Sequence, residues 1–395
     1  MISMQVQSQH LVIIPSVSVW KNENILSFDR KFYDGIVLYT KQWPGKISCI
    51  VSLSTSLNSD FGVINKTIDE LPFKCIMIET NEKITVDHLA GASIVLASAD
   101  ADNQLYISAL CMLCKVKCVY VIEYIPETRY QIAFLSSRNP IIILRRFIYI
   151  WQQEKKRISA FSISDGLQSN GTPAYYEYKK IKNNLLYFDT RVYKNNFIED
   201  DDLQIRLNYL SKCQPLRLAF SGRLIRIKGA DHLVKLALIL KQRKILYNFT
   251  IYGAGELKDE MIKFIHSHQL EKNVFLQGPV DFYKQLIPDF KTKIDLFVCL
   301  HRQSDPSCTY LETLSCGVPI VGYINKAFSG LLSLADIGWG AEINDLNKIA
   351  DTIEHLNEYR NQICEKSRNA LKFAIPNDFE TTFQNRINHL LSLLE

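Results

Sequence analysis

Short apolar runs alternate with amphipathic stretches along the whole chain. Leu11–Ile14, Gly35–Tyr39, Ile47–Ser52, Cys75–Ile78, Ser93–Ala97, Cys118–Tyr124 and Ala160–Ser164 read as buried strands, and the segments between them carry helical spacing. Strands and helices in alternation predict parallel sheets covered by helices, an α/β protein. The same rhythm runs through the second half, from Leu216 to about Ala374. Between about Phe188 and Pro215 the pattern lapses: Asp200-Asp201-Asp202 opens a polar stretch ending in Cys213-Gln214-Pro215, and an interdomain linker is placed there. A last run, Asp378 to Leu394, has Phe383, Ile387, Leu390, Leu391 and Leu394 on one helical face. No internal repeat or low-complexity stretch interrupts this order.

Three segments of the second half carry candidate chemistry. The first, Leu216 to Gly229, is a strand running into a glycine turn at Gly222, with Arg223 and Lys228 five residues apart, before a helix from about Ala230. The second, Phe249 to Glu256, is a strand ending in Gly253-Ala254-Gly255 ahead of another helix. The third, Ser304 to Val321, reads as a loop, a short helix and a buried strand. Ser304 or Asp305 is expected to cap that helix, with Pro306 in its first turn, Gly317 ending it and Pro319 barring its continuation. Backbone N–H groups at such a helix start suit an anion or a hydroxyl-rich ligand, and Glu312, about two turns in, suits a sugar or ribose hydroxyl.

In this order and spacing, over roughly residues 216 to 345, the three segments resemble the donor-binding half of the family-4 retaining glycosyltransferases, which have the glycosyltransferase B fold. The resemblance implies two Rossmann-like domains facing across a cleft: an acceptor domain at 1–205, a nucleotide-sugar domain at 216–375, and a C-terminal helix, 376–395, returning to the first domain. It assigns Arg223 and Lys228 to the donor diphosphate, and Gly222, Gly253 and Gly255 to close approach of backbone and nucleotide. Glu312 matches the second Glu of the family's Glu-x7-Glu pair, which holds the ribose. The first Glu of that pair, which contacts the transferred sugar, is replaced here by Ser304, with Asp305 adjacent. Asp305, Ser307, Cys308 and Thr309 are therefore the residues expected around the sugar. The run Asp305 to Thr313 is similar to a bacterial polysaccharide sub-branch that lacks the first Glu.

The first half says less. Ile163 to Tyr175, with Asp165, Gln168, Asn170 and Gly171, is similar to a Gly-Leu-Gln-x-Asn-Gly-x-Pro loop of that sub-branch and is expected to face the acceptor side of the cleft; a plain surface turn is the competing reading. Phe28 to Gly35 is read as a charged loop where an acceptor would lie. Leu144 to Arg157 mixes cations with large aromatics, which suits either a helix resting on an anionic membrane or a half-buried helix with a basic outer face.

Composition narrows the classes. At 395 residues the chain is long enough for two cores, and a net charge of +5 with interspersed signs does not call for nucleic acid. The N-terminal residues do not read as a secretory signal, and no run reaches the apolar length of a membrane span, so a cytoplasmic protein, at most peripheral on a membrane, is expected. Ten cysteines fall mostly in apolar segments such as Cys49, Cys75, Cys118 and Cys299, as reduced core residues do. Cys111, Cys114 and Cys118 lack a partner pair at zinc spacing. Asp100-Ala101-Asp102 is a bare Asp-x-Asp, and no metal or other cofactor is expected at the diphosphate. Two rival functions remain. A nucleotide-sugar epimerase on the same fold would need a His-rich cleft, and none of the eight His lies in the three segments. A catalytically degenerate partner subunit would be consistent with Ser304.

Overall fold

The computed structural model describes residues 9–56, 61–137, 139–212 and 214–395. Among them the chain forms two sheets, each with its own core. The first contains β1 (His10–Ile14), β2 (Val19–Asn22), β3 (Ile25–Asp29), β4 (Lys46–Ser54), β5 (Val63–Thr67), β6 (Lys74–Ile78), β7 (Ile94–Ser98), β8 (Lys117–Ile122), β9 (Gly166–Asn170) and β10 (Asn184–Tyr187). Its parallel body runs β6-β4-β1-β7-β8-β9-β10, and the hairpin β2-β3 with β5 extends it off the end of β4. The second contains β11 (Leu216–Ser221), β12 (Tyr247–Tyr252), β13 (Val274–Gly278), β14 (Leu296–Cys299), β15 (Ile320–Tyr323) and β16 (Gly338–Ala341), all parallel in the order β13-β12-β11-β14-β15-β16.

Central strands such as β14 are buried along their length because helices cover both faces, which is why they read as continuous apolar runs. In each sheet the strand order reverses beside its first strand, between β1 and β7 and between β11 and β14. Doubly wound sheets open a crevice there, at the carboxyl ends of the strands.

Two of the expected strands are helices. Gly35–Tyr39 lies inside the helix Arg30–Gln42, which starts where Asp29 accepts a bond from the Phe32 N–H at 3.0 Å. Phe28 to Gly35 is accordingly a strand end and a helix start rather than a loop. Ala160–Ser164 is the end of a 24-residue helix, Pro140–Ile163, capped by Asn139. The strand follows it as β9, so the segment expected to be a turn at 165–170 is itself sheet.

The linker stretch holds a helix, Asp200–Leu210, whose Leu203, Leu207 and Leu210 join the second core. Its Arg206 is buried and donates to the carbonyls of Phe290, Cys316 and Gly317. Cys213, at the end of that stretch, lies outside the described residues. The C-terminal helix, Phe379–Ser392, returns to the first sheet: Phe379, Phe383, Ile387 and Leu390 pack into that core.

Candidate active site

The second sheet presents its cations at the switch point. After β11 the chain swings out through Gly222 and Arg223, then tightens in one 3-10 turn, Arg226–Lys228, against the segment that follows β14. Lys228 Nζ donates to Asp305 Oδ2 at 2.9 Å, and both side chains are buried, while Arg223 is exposed. Burial acts to raise the Asp305 carboxyl, but Lys228 beside it prevails and holds it below its ordinary value. A buried ion pair of this kind is costly to break from one side, because the partner is left charged and unpaired.

The third segment differs from expectation in its helix. That helix spans only Thr309–Leu314, with Cys308 at its N-cap and no side-chain cap. Neither Ser304 nor Asp305 caps it, and Pro306 precedes its first turn. Glu312 therefore sits in the first turn, where its Oε1 accepts from Arg191 Nε at 2.8 Å. Gly317 does take the left-handed conformation expected of it, at φ 61°. Ser307 Oγ donates to Thr309 Oγ1 at 3.2 Å, and both residues are partly exposed.

His301, at the end of β14, is a site residue the motifs did not include. It is 1% exposed, and neither ring nitrogen has a hydrogen-bond partner; Asp305 Oδ1 also lacks one. Burial, reinforced by Lys228, pushes the imidazole down to about 3, so it is neutral at physiological pH. A neutral imidazole offers one donor and one acceptor. No His lies within the three segments, but His301, three residues before Ser304, joins them in space.

The Gly-x-Gly turn has a packing reason of its own. A Cβ on Gly253, at φ 131°, would lie 2.0 Å from the Gly222 carbonyl oxygen, and one on Gly255 would lie 2.4 Å from that of Leu224. The two strand-end turns are pressed together, backbone on backbone, which requires both glycines whatever binds above them.

From the first sheet the facing rim brings carboxylates. Glu123 follows β8 and accepts at Oε2 from Asn170 Nδ2 at 3.1 Å, while Asn170 Oδ1 accepts from the Asp189 N–H at 3.0 Å. Burial, with Asp100, Asp189 and Asp305 nearby, pushes Glu123 up to about 8, so it is largely protonated at neutral pH. Asp100 is claimed by Arg129 at 2.6 Å and by the N–H groups of Glu123 and Tyr124, and Asp102 by Arg157 at 2.7 Å. The Asp-x-Asp pair is therefore split between two cations.

Three seams join the rims. Ser304 donates its N–H to Gln131 Oε1 at 3.3 Å, and its hydroxyl lies 3.3 Å from Glu127 Oε1; Glu127 also pairs with Lys326. Lys31 donates to Cys308 Sγ at 2.8 Å and pairs with Asp189. Burial raises the Cys308 thiol to about 12 despite Lys31, so it stays protonated. A Cβ on Gly171 would lie 2.4 Å from Pro306 Cβ, which places the start of the helix Gly171–Glu177 directly on the third segment.

Of the expected acceptor residues, Asn170 and Gly171 face the cleft and the other two do not. Asp165 precedes β9 and accepts from the Cys118 N–H at 2.9 Å, at the amino end of the strand and so away from the crevice. Gln168 is buried, exchanging hydrogen bonds with Arg386 of the C-terminal helix at 2.8 and 2.9 Å. Glu123, Asp189, Arg191 and His301 lie outside the segments singled out from the sequence, whereas Lys31 falls within Phe28 to Gly35, read there as an acceptor-side loop. Each of the first four is a single polar residue within four positions of a strand end, a signal far weaker than a glycine turn.

Residues 204–373 match the family model described as glycosyl transferases group 1. The poly(ribitol-phosphate) alpha-N-acetylglucosaminyltransferase of Staphylococcus aureus (strain COL) is 28% identical over 136 residues, which are 34% of this chain and 27% of that protein, so the matched stretch spans about a quarter of the relative's length. Among solved structures, Anabaena HepE in complex with UDP superposes with a TM-score of 0.65 at 13% identity, covering 97% of this chain and 99% of that one. A Rickettsia africae glycosyltransferase gives 0.64 at 11% identity, covering 98% and 99%. TarM, from S. aureus, gives 0.55 at 16% identity, covering 78% and 57%. The chain has the glycosyltransferase B fold over its described length, and the family match falls within the half that contains the second sheet.

Proposed function

We propose that this chain is a retaining glycosyltransferase that moves a sugar from a nucleoside-diphosphate sugar to a glycan or lipid-linked acceptor, in the assembly of a cell-surface polysaccharide. The observation that carries the reading is the cluster at the β11–β14 switch point: Arg223 and Lys228 beside a neutral, unpartnered His301. It lies within the segment that matches group 1 glycosyl transferases. The relatives lend support, one being named for N-acetylglucosamine transfer to a ribitol-phosphate polymer and another having been crystallised with UDP and with UDP-glucose.

In this reading the bond between the anomeric carbon and the diphosphate breaks, and the bond to the acceptor hydroxyl forms on the same face. The acceptor proton passes to the departing phosphate oxygen. Charge grows on that diphosphate, so Arg223 and Lys228 act where the transition state needs them, without a metal. Lys228 reaches the phosphate by exchanging Asp305 for it. Asp305, with its free Oδ1, and neutral His301 are then left to receive sugar hydroxyls, in place of the carboxylate that Ser304 lacks. Glu312 holds the ribose, sharing its carboxylate with Arg191. Protonated Glu123, beside Asn170, faces the incoming hydroxyls from the acceptor side.

A thermal-shift screen with UDP-, GDP- and TDP-sugars selects the donor. Proton NMR of the product of that donor then reads anomeric configuration. An α-linked product from an α-donor supports the reading. An inverted product removes retention. An epimerised nucleotide sugar in the same spectrum makes the chain an epimerase, with His301 the observation behind it. Binding without any turnover makes it a partner subunit.

A further inference from the structure

The helix Pro140–Ile163 has two unlike faces. Gln153, Arg157, Ala160 and Phe161 turn inward, and Arg157 is 0% exposed, held by the Ala99 carbonyl, Glu154 and Asp102. It is therefore not one of the outer cations the sequence suggested. The opposite stripe, Ile141, Leu144, Ile148, Trp151 and Ile158, lies at three-and-four spacing and is 45–63% exposed. An ordinary surface helix carries polar residues there. The neighbouring helix Pro126–Leu135, packed on it through Tyr130 and Phe147, adds Phe134 at 61%. A concentration of large exposed apolar side chains marks a surface that something else covers.

The charges say what covers it. The exposed ions of 141–159 are Arg145, Arg146, Lys155 and Lys156, with Arg146 turned toward Ser136 at the end of the neighbouring helix; the one acid of that stretch, Glu154, is bound inward to Arg157 and Tyr178. Lys155 lies over the Trp151 ring at 3.5 Å. Two copies of this helix laid together would set cation against cation with no acid to relieve them. An apolar stripe flanked by cations alone complements an anionic lipid surface instead. Among the described residues no helix is long and apolar enough to cross a membrane, so this face would lie on a bilayer rather than span it.

We infer that the helices Pro126–Leu135 and Pro140–Ile163 form a docking surface for an anionic membrane. The inference stands apart from the transferase reading, but it has a consequence for it. The helix Pro126–Leu135 touches Ser304 through Glu127 and Gln131 at one end and exposes Phe134 and Leu135 at the other. One short helix therefore links the proposed lipid-facing surface to the rim of the cleft, an arrangement that suits a lipid-linked acceptor.

Co-sedimentation of the full chain with phosphatidylcholine vesicles, with and without phosphatidylglycerol, tests the inference. Binding is expected to the phosphatidylglycerol vesicles, to weaken with salt, and to be slight with phosphatidylcholine alone. The variant R145A/R146A should lower partitioning about thirty-fold, and L144E/I148E should abolish it, with unchanged melting temperatures because all four side chains are exposed. No binding to phosphatidylglycerol vesicles overturns the proposal, as does binding that neither variant changes. A concentration-dependent dimer that L144E/I148E dissolves, in the absence of vesicle binding, would give the face to a second copy of the chain and also overturn it.

Discussion

The two rims of the cleft settle their buried charges in different ways. The second sheet ends in Arg223 and Lys228; the first ends in Asp100 and Glu123, with Asp189 on the crossover beside them. Lys228 is neutralised by a carboxylate of its own rim, whereas Glu123, buried and with further carboxylates nearby, takes up a proton instead. One rim is therefore prepared for an anion and the other for hydroxyl groups, which is the division of labour a donor diphosphate and a sugar acceptor require.

The largest expected effect breaks this contrast at its base. Lys228→Ala removes a phosphate contact and leaves Asp305 charged in a buried site, so it should cost roughly 3–5 kcal/mol of stability as well as turnover. The double variant Lys228→Ala/Asp305→Asn should recover the melting temperature without recovering activity. A single variant as stable as the wild type would mean that the pair is not buried in solution as described.

Glu312→Gln comes next. It keeps the shape of the side chain but loses the ionised acceptor shared with Arg191, and binding of the free nucleoside diphosphate should weaken about tenfold. Unchanged affinity by calorimetry would leave Glu312 a structural partner of Arg191.

A smaller effect sharpens the first rim. Glu123 has its carboxyl raised from 4.5 to about 8 in the folded chain, so its contribution to stability is fully present below 4.5 and is lost as pH rises through about 8. Glu123→Gln keeps the neutral amide at every pH and should flatten the decline of melting temperature across that window. His301 acts in the other direction: its imidazole is lowered from 6.5 to about 3, so its contribution is present above 6.5 and is lost as pH falls through about 3. A melting profile of Glu123→Gln that parallels the wild type would show that Glu123 is ionised at neutral pH. The smallest effect is none at all: turnover should persist in EDTA, and a loss restored by magnesium or manganese would return Asp100 and Asp102 to consideration.

How much was legible follows the same division. Arg223, Lys228, Gly253 and Gly255 belong to strand-glycine-helix units in which local sequence dictates local geometry, so their positions could be read directly; Glu312 was placed on the right helix but a turn too far along it, because that helix starts only at Thr309. Asp305 was legible as a neighbour of the missing Glu but not as the partner of Lys228, because that pairing closes over 77 residues. His301 was hidden by being two residues beyond a strand end with nothing around it to punctuate the turn. In the first half the errors share a cause. Gly35–Tyr39 and Ala160–Ser164 are short apolar runs, which strands and buried helix turns produce alike, and the caps that separate them, Asp29 and Asn139, stand outside the runs. Gln168 was misplaced because its partner, Arg386, arrives with the returning C-terminal helix.

The central claim is that the rim after β11 takes a nucleoside diphosphate. Arg223 is exposed, with no buried partner to strand, so its removal should leave the fold untouched and report on the ligand alone. Calorimetry with the nucleoside diphosphate chosen by the donor screen should give binding to Arg223→Ala about 10- to 100-fold weaker than to the wild type, at an unchanged melting temperature. Equal affinity for the two proteins would contradict the account.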